Sequence, residues 1–176
     1  MRMGIVIIAL ALPAGASAQA RLPKGQEEIN RAAEKIVRGE YPAAEPLLRQ
    51  ALVDAPSDPW GHFNLASVLR DTGRSGEAVS EYAEAKRLFE TAGSGRGNEH
   101  NVANCLYGRA LAQEAIGDAQ ASIAAWNDYI GFAVRFGTEQ PAVAIAREHI
   151  HTDQYLAGLR EPSGAAHTAT RPSVVR

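Results

Sequence analysis

The sequence has little of several residue types, and each shortage excludes a class of protein. A single cysteine, Cys105, rules out an intramolecular disulfide. Aromatic residues make up 6% of the chain, and residues 19–176 lack alternating clusters of Val, Ile and Thr, which favours helices over strands. The net charge of -2 lacks the basic excess that attracts nucleic acid or anionic lipid. We therefore expect a soluble all-α protein with no nucleic-acid partner.

Long apolar runs are also scarce. Residues 4–12 form an apolar run of nine, too short for a membrane-spanning helix, which needs about twenty residues. Arg2 precedes this run, Pro13 follows it, and the small residues 16–18 suit a cleavage site after Ala18. This pattern predicts a cleaved export signal rather than a membrane anchor. We expect a periplasmic or secreted protein, most simply periplasmic, with no integral membrane span in the mature chain.

One stretch, Ser57 to Glu90, has the pattern of a complete helix-turn-helix unit. Ser57 or Asp58 can cap a first helix, and apolar residues recur at helical intervals on both sides of a polar turn at residues 71–76. A turn of this length favours an antiparallel return. The stretch therefore predicts two helices that pack against each other.

The spacing of this unit recurs in the preceding part of the chain. A turn glycine and two alanines reappear thirty-four residues later, as Gly39, Ala44 and Ala51 correspond to Gly73, Ala78 and Ala85. A fixed period in this range indicates stacked repeats, each of which cannot bury its apolar face alone.

These residues resemble the tetratricopeptide repeat (TPR) family, whose pattern places small residues on both helices and a large residue on the second. The matching residues, copy by copy, are Ala32, Gly39, Ala44, Leu48 and Ala51; Ala66, Gly73, Ala78, Tyr82 and Ala85; and Ala110, Gly117, Asp118, Ser122 and Trp126. In the third copy Tyr129 replaces the second-helix alanine. The resemblance implies an all-α fold of about three antiparallel helix-turn-helix repeats, stacked as a short right-handed α-solenoid.

The export-signal pattern and the repeat register together divide the chain. They predict a signal peptide at 1–18, a flexible lead at 19–24, and a repeat domain at 25–136 with copies at 25–58, 59–92 and 103–136. Residues 93–102 are an insertion, in which glycine-rich residues 91–97 predict a loop and Asn98 caps a longer helix from Glu99. Residues 137–160 have helical periodicity without repeat spacing and predict a capping helix. Residues 161–176 lack periodicity and are predicted to be disordered.

The resemblance implies that function lies on the concave face, which first helices of successive repeats line. It places eight candidate partner-binding residues there: Ile29, Asn30, Ala33, Phe63, Asn64, Ser67, Tyr107 and Leu111. Such a groove suits an extended or helical apolar segment of another protein, with amides available to its backbone. The alternative is that Phe63 and Tyr107 are buried between repeats or by the final helix, and that no ligand binds.

Asn64 matches the asparagine that holds a partner's C-terminal carboxylate in chaperone-binding members of the family. Those members also carry basic residues on neighbouring first helices, but Ile29, Asn104 and Gly108 occupy the matching places here. We therefore do not expect a carboxylate clamp.

No pattern in the sequence indicates an enzyme, a cofactor or a metal. His149 and His151 point in different directions on a helix, and His149 with Asp153 lacks a third ligand. Cys105 lies in an apolar helical run, where a buried thiol is the simplest expectation and a reactive or intermolecular thiol the alternative. We expect a non-catalytic periplasmic TPR protein that mediates a protein-protein interaction, or alternatively a structural subunit or assembly factor of a cell-envelope complex.

Overall fold

The computed structural model describes residues 22–92, 96–137 and 140–160, and within these ranges the chain forms seven α-helices and no strand. In chain order the helices are α1 Gln26–Val37, α2 Tyr41–Asp54, α3 Pro59–Asp71, α4 Ser75–Thr91, α5 Arg96–Ile116, α6 Ala119–Phe136 and α7 Gln140–Arg160. The all-α prediction is thereby confirmed for the described residues. None of these helices has the length and apolar character needed to span a membrane. The predicted signal peptide and C-terminal tail lie outside the described residues, as do residues 93–95 of the insertion.

Local chemistry explains where the helices begin and end. The Asp58 carboxylate caps α3, because its Oδ1 accepts hydrogen bonds from the backbone N–H groups of Trp60 and Gly61 at 2.8 and 2.9 Å. Asp118 caps α6 in the same way by accepting from the Ala121 N–H at 3.1 Å. After α1, α3 and α5 the chain turns at Gly39, Gly73 and Gly117, whose φ angles of 73°, 84° and 84° favour glycine.

Consecutive helices pack against each other from α1 to α7, and α3 also contacts both α1 and α5. The core contains the same repeat positions in each helical pair. Four positions are at most 1% exposed in every copy: Ala32, Ala66 and Ala110; Ala44, Ala78 and Ser122; Leu48, Tyr82 and Trp126; Ala51, Ala85 and Tyr129. The matched positions, thirty-four residues apart between the first two pairs and forty-four between the second and third, therefore mark residues that the helices bury.

Two glycines let helices approach closely where pairs meet. A side chain on Gly108 of α5 would place its Cβ 2.5 Å from Tyr82 Cζ of α4. A side chain on Gly61 of α3 would place its Cβ 2.8 Å from Leu52 Cδ2 of α2. Because the Tyr82 ring is rigid and buried, the packing of α5 on the preceding pair requires a glycine at Gly108, whereas at Gly61 the Leu52 methyl group would have to move.

The predicted start of the longer helix at Glu99 was wrong. Helix α5 begins at Arg96, so Asn98 lies inside it rather than at its cap, and residues 96–102 are helical. Val102 and Ala103, near the beginning of α5, are buried in the core. The predicted capping helix corresponds to α7, which packs on α6.

Candidate functional site

The eight predicted groove residues lie on α1, α3 and α5, and we call this set of eight residues the odd-helix face. Helix α3 contacts both α1 and α5. The side chains of the odd-helix face differ widely in exposure. Asn30 is exposed, whereas Ala33, Asn64, Ser67, Tyr107 and Leu111 are half-buried, and Ile29 and Phe63 are buried.

Two of the eight residues, Ile29 and Phe63, are buried between helices. Ile29 is 3% exposed and packs beside Gly61, where an ideal Cβ would lie 3.6 Å from Ile29 Cδ1. Phe63 is 8% exposed, and its ring meets those of Trp60 and Tyr82 edge to face at centroid distances of 5.9 and 5.7 Å. Both side chains thus fill the spaces between helices and present little surface to a partner.

Tyr107 also faces a neighbouring helix. Its ring packs edge to face on Trp126 and Tyr129 of α6, at centroid distances of 5.2 and 5.3 Å. The ring therefore contributes to the joint between α5 and α6, and only part of the side chain reaches solvent.

The polar residues of the face have defined hydrogen bonds. Asn30 Oδ1 accepts from Gln26 Nε2 at 3.0 Å. Ser67 Oγ donates to the Phe63 carbonyl at 3.1 Å and lies 3.0 Å from the Tyr82 hydroxyl. Since Ser67 has a single hydroxyl hydrogen, the Tyr82 hydroxyl must donate to Ser67 Oγ. What remains accessible is a face of amides, a hydroxyl and small apolar surfaces, which is more polar than the sequence predicted.

Trp60 is a half-buried aromatic residue at the edge of this face that the sequence reasoning did not select. Its ring packs edge to face on Phe63 and on Phe89 of α4, the latter at 5.1 Å. The sequence did indicate where Trp60 lies, because the Asp58 cap places Trp60 in the first turn of α3.

A second cluster of polar side chains lies between the third helical pair and α7. His149 Nδ1 of α7 is 2.7 Å from Glu114 Oε2 of α5, and its ring stacks on Trp126 of α6 at 4.6 Å and 18°. The same Glu114 oxygen accepts a hydrogen bond from Trp126 Nε1 at 3.2 Å. Ser122 Oγ of α6 donates to Asp153 Oδ2 of α7 at 2.5 Å, where both residues are buried. We call these five residues the polar latch.

His149 and Asp153, which the sequence spacing suggested as a possible pair of metal ligands, have different partners in the structure. His149 contacts Glu114 and Trp126, whereas Asp153 contacts Ser122. Within the described ranges, no group of three His, Cys, Asp or Glu side chains is placed to hold a metal ion.

Other ionisable groups tie helices together. Both ring nitrogens of His62 face acceptors, with Nδ1 2.6 Å from Glu81 Oε2 and Nε2 3.0 Å from the Pro56 carbonyl. The hydrogen bond with Glu81 raises the pKa of His62, against the opposing effect of burial. Burial raises the pKa of the Cys105 thiol to about 12, so this thiol stays protonated and unreactive at neutral pH.

An open cleft of about 390 Å³ lies between α4, α5 and α6. Leu106 and Phe132 supply its apolar lining, and Arg109 of α5 lies beside it in an ion pair with Asp128 of α6, with Nη2 and Oδ2 2.5 Å apart. Apart from its α5 residues, this cleft lies away from the odd-helix face, and no sequence pattern indicated it.

Comparison with known proteins adds no assignment. No family model matches the chain, and a search of curated proteins likewise returns no match.

Proposed function

We propose that this chain is an exported, periplasmic repeat protein of the tetratricopeptide type that binds another protein and catalyses no reaction. The observation that carries this proposal is the equivalence of the three helical pairs. Small residues are fully buried at matching positions, as in Ala32, Ala66 and Ala110, and each pair turns at a glycine with positive φ. Repeats that share one packing scheme stack on their neighbours.

The helix contacts support a short solenoid. Within each pair the two helices pack together, and each following pair packs on the second helix of the pair before it. The additional contacts of α3 with α1 and α5 support an arrangement in which these three helices lie along one side. In a right-handed solenoid, that side would be the concave one, lined by the odd-helix face.

The accessible chemistry of that face favours an extended protein segment as the ligand. Asn64 is half-buried and carries both a donor and an acceptor, which can pair with the main chain of an extended segment. Ala33 and Leu111 offer small apolar surfaces beside it. Recognition would then depend on backbone hydrogen bonds and shallow apolar contacts, because Ile29 and Phe63 are occupied in the core.

The proposal that the chain catalyses no reaction is supported by the contacts of its histidine and cysteine side chains. His62 and His149 hold neighbouring helices through Glu81 and Glu114, and Cys105 is buried as a protonated thiol. These roles are structural, and no cofactor is part of the proposal.

Permanent docking in a cell-envelope complex is the second candidate function. It is favoured by large apolar side chains that are exposed on several helices, namely Val53 at 75%, Tyr155 at 65% and Leu156 at 43%. A structural subunit would cover such side chains in a stable complex, whereas an adaptor would bind and release its partner at the odd-helix face.

Site-specific photocrosslinking in the native envelope tests the proposal. A photoreactive residue at Asn64 should yield a defined crosslinked protein, and one at Ala83, an exposed position on α4, should not. Equal products from both positions, or none from Asn64, would contradict binding at the odd-helix face. Products obtained at Val53 and Leu156 but not at Asn64 would instead support the structural subunit.

A further inference from the structure

The side chain of Asn104 on α5 is buried without a partner for its hydrogen-bond donor. The residue is 8% exposed, and no described residue accepts a hydrogen bond from its Nδ2. A buried donor without a partner loses its hydration with no compensation, so folded proteins contain few such groups. Asn104 therefore lowers the stability of the free chain, and an acceptor from a bound partner would remove this cost.

The place of Asn104 in the fold follows from the directions of the neighbouring helices. Contacts of α4 with each neighbour run in reverse order along the chain: Trp60 with Phe89 and Ser67 with Tyr82 for α3, and Val79 with Gln113 and Glu90 with Leu106 for α5. Helix α4 is thus antiparallel to both neighbours. It follows that α3 and α5 run in the same direction.

Asn104 lies at the same level of these parallel helices as Asn64. The Tyr82 side chain joins α3 and α5 at one level, since its hydroxyl is 3.0 Å from Ser67 Oγ and its ring abuts Gly108. Asn64 precedes Ser67 by three residues and Asn104 precedes Gly108 by four, which is about one helical turn in each case. The next level along both helices therefore contains the two asparagines.

This level places two uncharged amides side by side at the odd-helix face. Asn104 is one turn before Tyr107 and so lies on the side of α5 that contributes to this face. Rotation about the last side-chain bond of Asn104 interchanges Nδ2 and Oδ1, so the amide can turn its donor toward an acceptor on the face. Two neighbouring amides match the alternating N–H and C=O groups of an extended main chain.

We propose that Asn104 is a partner-binding residue beside the eight of the odd-helix face, and that Asn64 and Asn104 together bind the main chain of an extended protein segment. The Asn104 donor takes a main-chain carbonyl, and Asn64 Oδ1 accepts from a neighbouring main-chain N–H. Because both contacts are with the backbone, the segment is selected for its extended conformation, and a proline that removes this N–H is excluded. The inference rests on the proposed binding at the odd-helix face.

Replacement of Asn104 by leucine separates a binding role from a structural one. Asn104→Leu removes an amide whose donor is unsatisfied, so the urea midpoint of the mature chain should be unchanged or higher. In the native envelope, crosslinking from a photoreactive residue at Asn30 should fall at least about fivefold, as expected for the loss of one hydrogen bond. Asn127→Leu, at an exposed amide on α6, is the matched control and should change neither quantity.

Three outcomes would overturn the inference. Unchanged crosslinking would mean that water alone satisfies Asn104, and a lower urea midpoint with reduced crosslinking would make the amide a structural one. Absence of a crosslinked product at both Asn30 and Asn64 in the otherwise unaltered chain would contradict the proposed function itself, and this inference with it. If Asn104→Leu does not fold, Asn104→Ala replaces it with a side chain smaller than asparagine, and the same fall in crosslinking is expected.

Discussion

Tyr82 occupies the space into which a side chain on Gly108 would project, since an ideal Cβ on Gly108 would lie 2.5 Å from Tyr82 Cζ and 2.6 Å from Cε1. The ring belongs to the second helical pair and the glycine to the third, and the two residues meet where these pairs join. Tyr82 is 1% exposed and is held by the core around it, so it has little room to move. The stacking of the third pair therefore depends on the absence of a side chain at Gly108.

Gly108→Ala should consequently destabilise the protein. Overpacking of this kind typically costs about 1–3 kcal/mol in the free energy of unfolding, which outweighs the helix propensity gained. The matched control is Gly131→Ala on α6, where nothing lies within 4 Å of the added Cβ and a gain of about 0.5–1 kcal/mol is expected. Urea unfolding followed by circular dichroism measures both. Equal stabilisation by the two substitutions would contradict the close packing of α5 on Tyr82.

The Tyr82 hydroxyl joins two side chains of α3. It donates to Ser67 Oγ and accepts from Arg70 Nη1 at 3.2 Å. Tyr82→Phe keeps the ring but removes this junction, so the free energy of unfolding should fall by about 1 kcal/mol. Tyr155→Phe, at a position 65% exposed, should leave stability unchanged in the same urea titration. No loss in the Tyr82 variant would show that water replaces the hydroxyl at no cost.

His62 should make stability depend on pH. Its hydrogen bond with Glu81 raises its pKa in the folded protein above the ordinary 6.5. A raised pKa means that the folded state favours the protonated ring, so the stabilisation is fully present below pH 6.5 and is lost as the pH rises through the folded value. The stability difference between the unaltered chain and His62→Gln should therefore shrink from pH 5.5 to pH 9.

Glu81→Gln provides the control for this pH dependence, since it removes the carboxylate that causes the shift. In that background, the effect of His62→Gln should vary much less with pH in parallel urea titrations. A difference that grows with pH in the unaltered background would reverse the sign argued for His62.

The thiol of Cys105 should be protected from alkylation. Burial raises its pKa to about 12 and the residue is fully enclosed, so at pH 8 the native protein presents almost no accessible thiolate. Modification by iodoacetamide should be at least about a hundredfold slower in native buffer than in urea, as mass spectrometry can follow. Equal rates in the two conditions would support the reactive thiol that the sequence left as an alternative.

Sequence reasoning succeeded where the determining interactions are local or periodic. The Asp58 cap and the turn at Gly73 follow from chemistry within a few residues, and the buried alanines follow from the thirty-four-residue spacing. The polar latch was missed because His149 and Glu114 belong to different helices and share no spacing rule. The start of α5 was missed because the glycines before Glu99 indicated a loop, whereas residues 96–98 are helical.

The exposure of side chains on the odd-helix face is another feature that helical periodicity does not predict. A helical pattern identifies the apolar side of α3, but it does not tell which part of that side neighbouring helices cover. Phe63 and Asn64 are adjacent in sequence, yet the first is 8% exposed within an aromatic cluster and the second is half-buried at the surface. The family resemblance of the sequence placed both of them in one groove.

Phe63 and Asn64 should accordingly respond in opposite ways to truncation. Phe63→Ala removes a buried ring that contacts Trp60 and Tyr82, and it should lower the free energy of unfolding by about 3–5 kcal/mol. Asn64→Ala should change stability by less than about 1 kcal/mol while reducing crosslinking from a photoreactive residue at Asn30. Thermal melts and crosslinking yields measure the two effects separately. A Phe63 variant with an unchanged melting temperature and reduced crosslinking would restore Phe63 as a groove residue and contradict its assignment to the core.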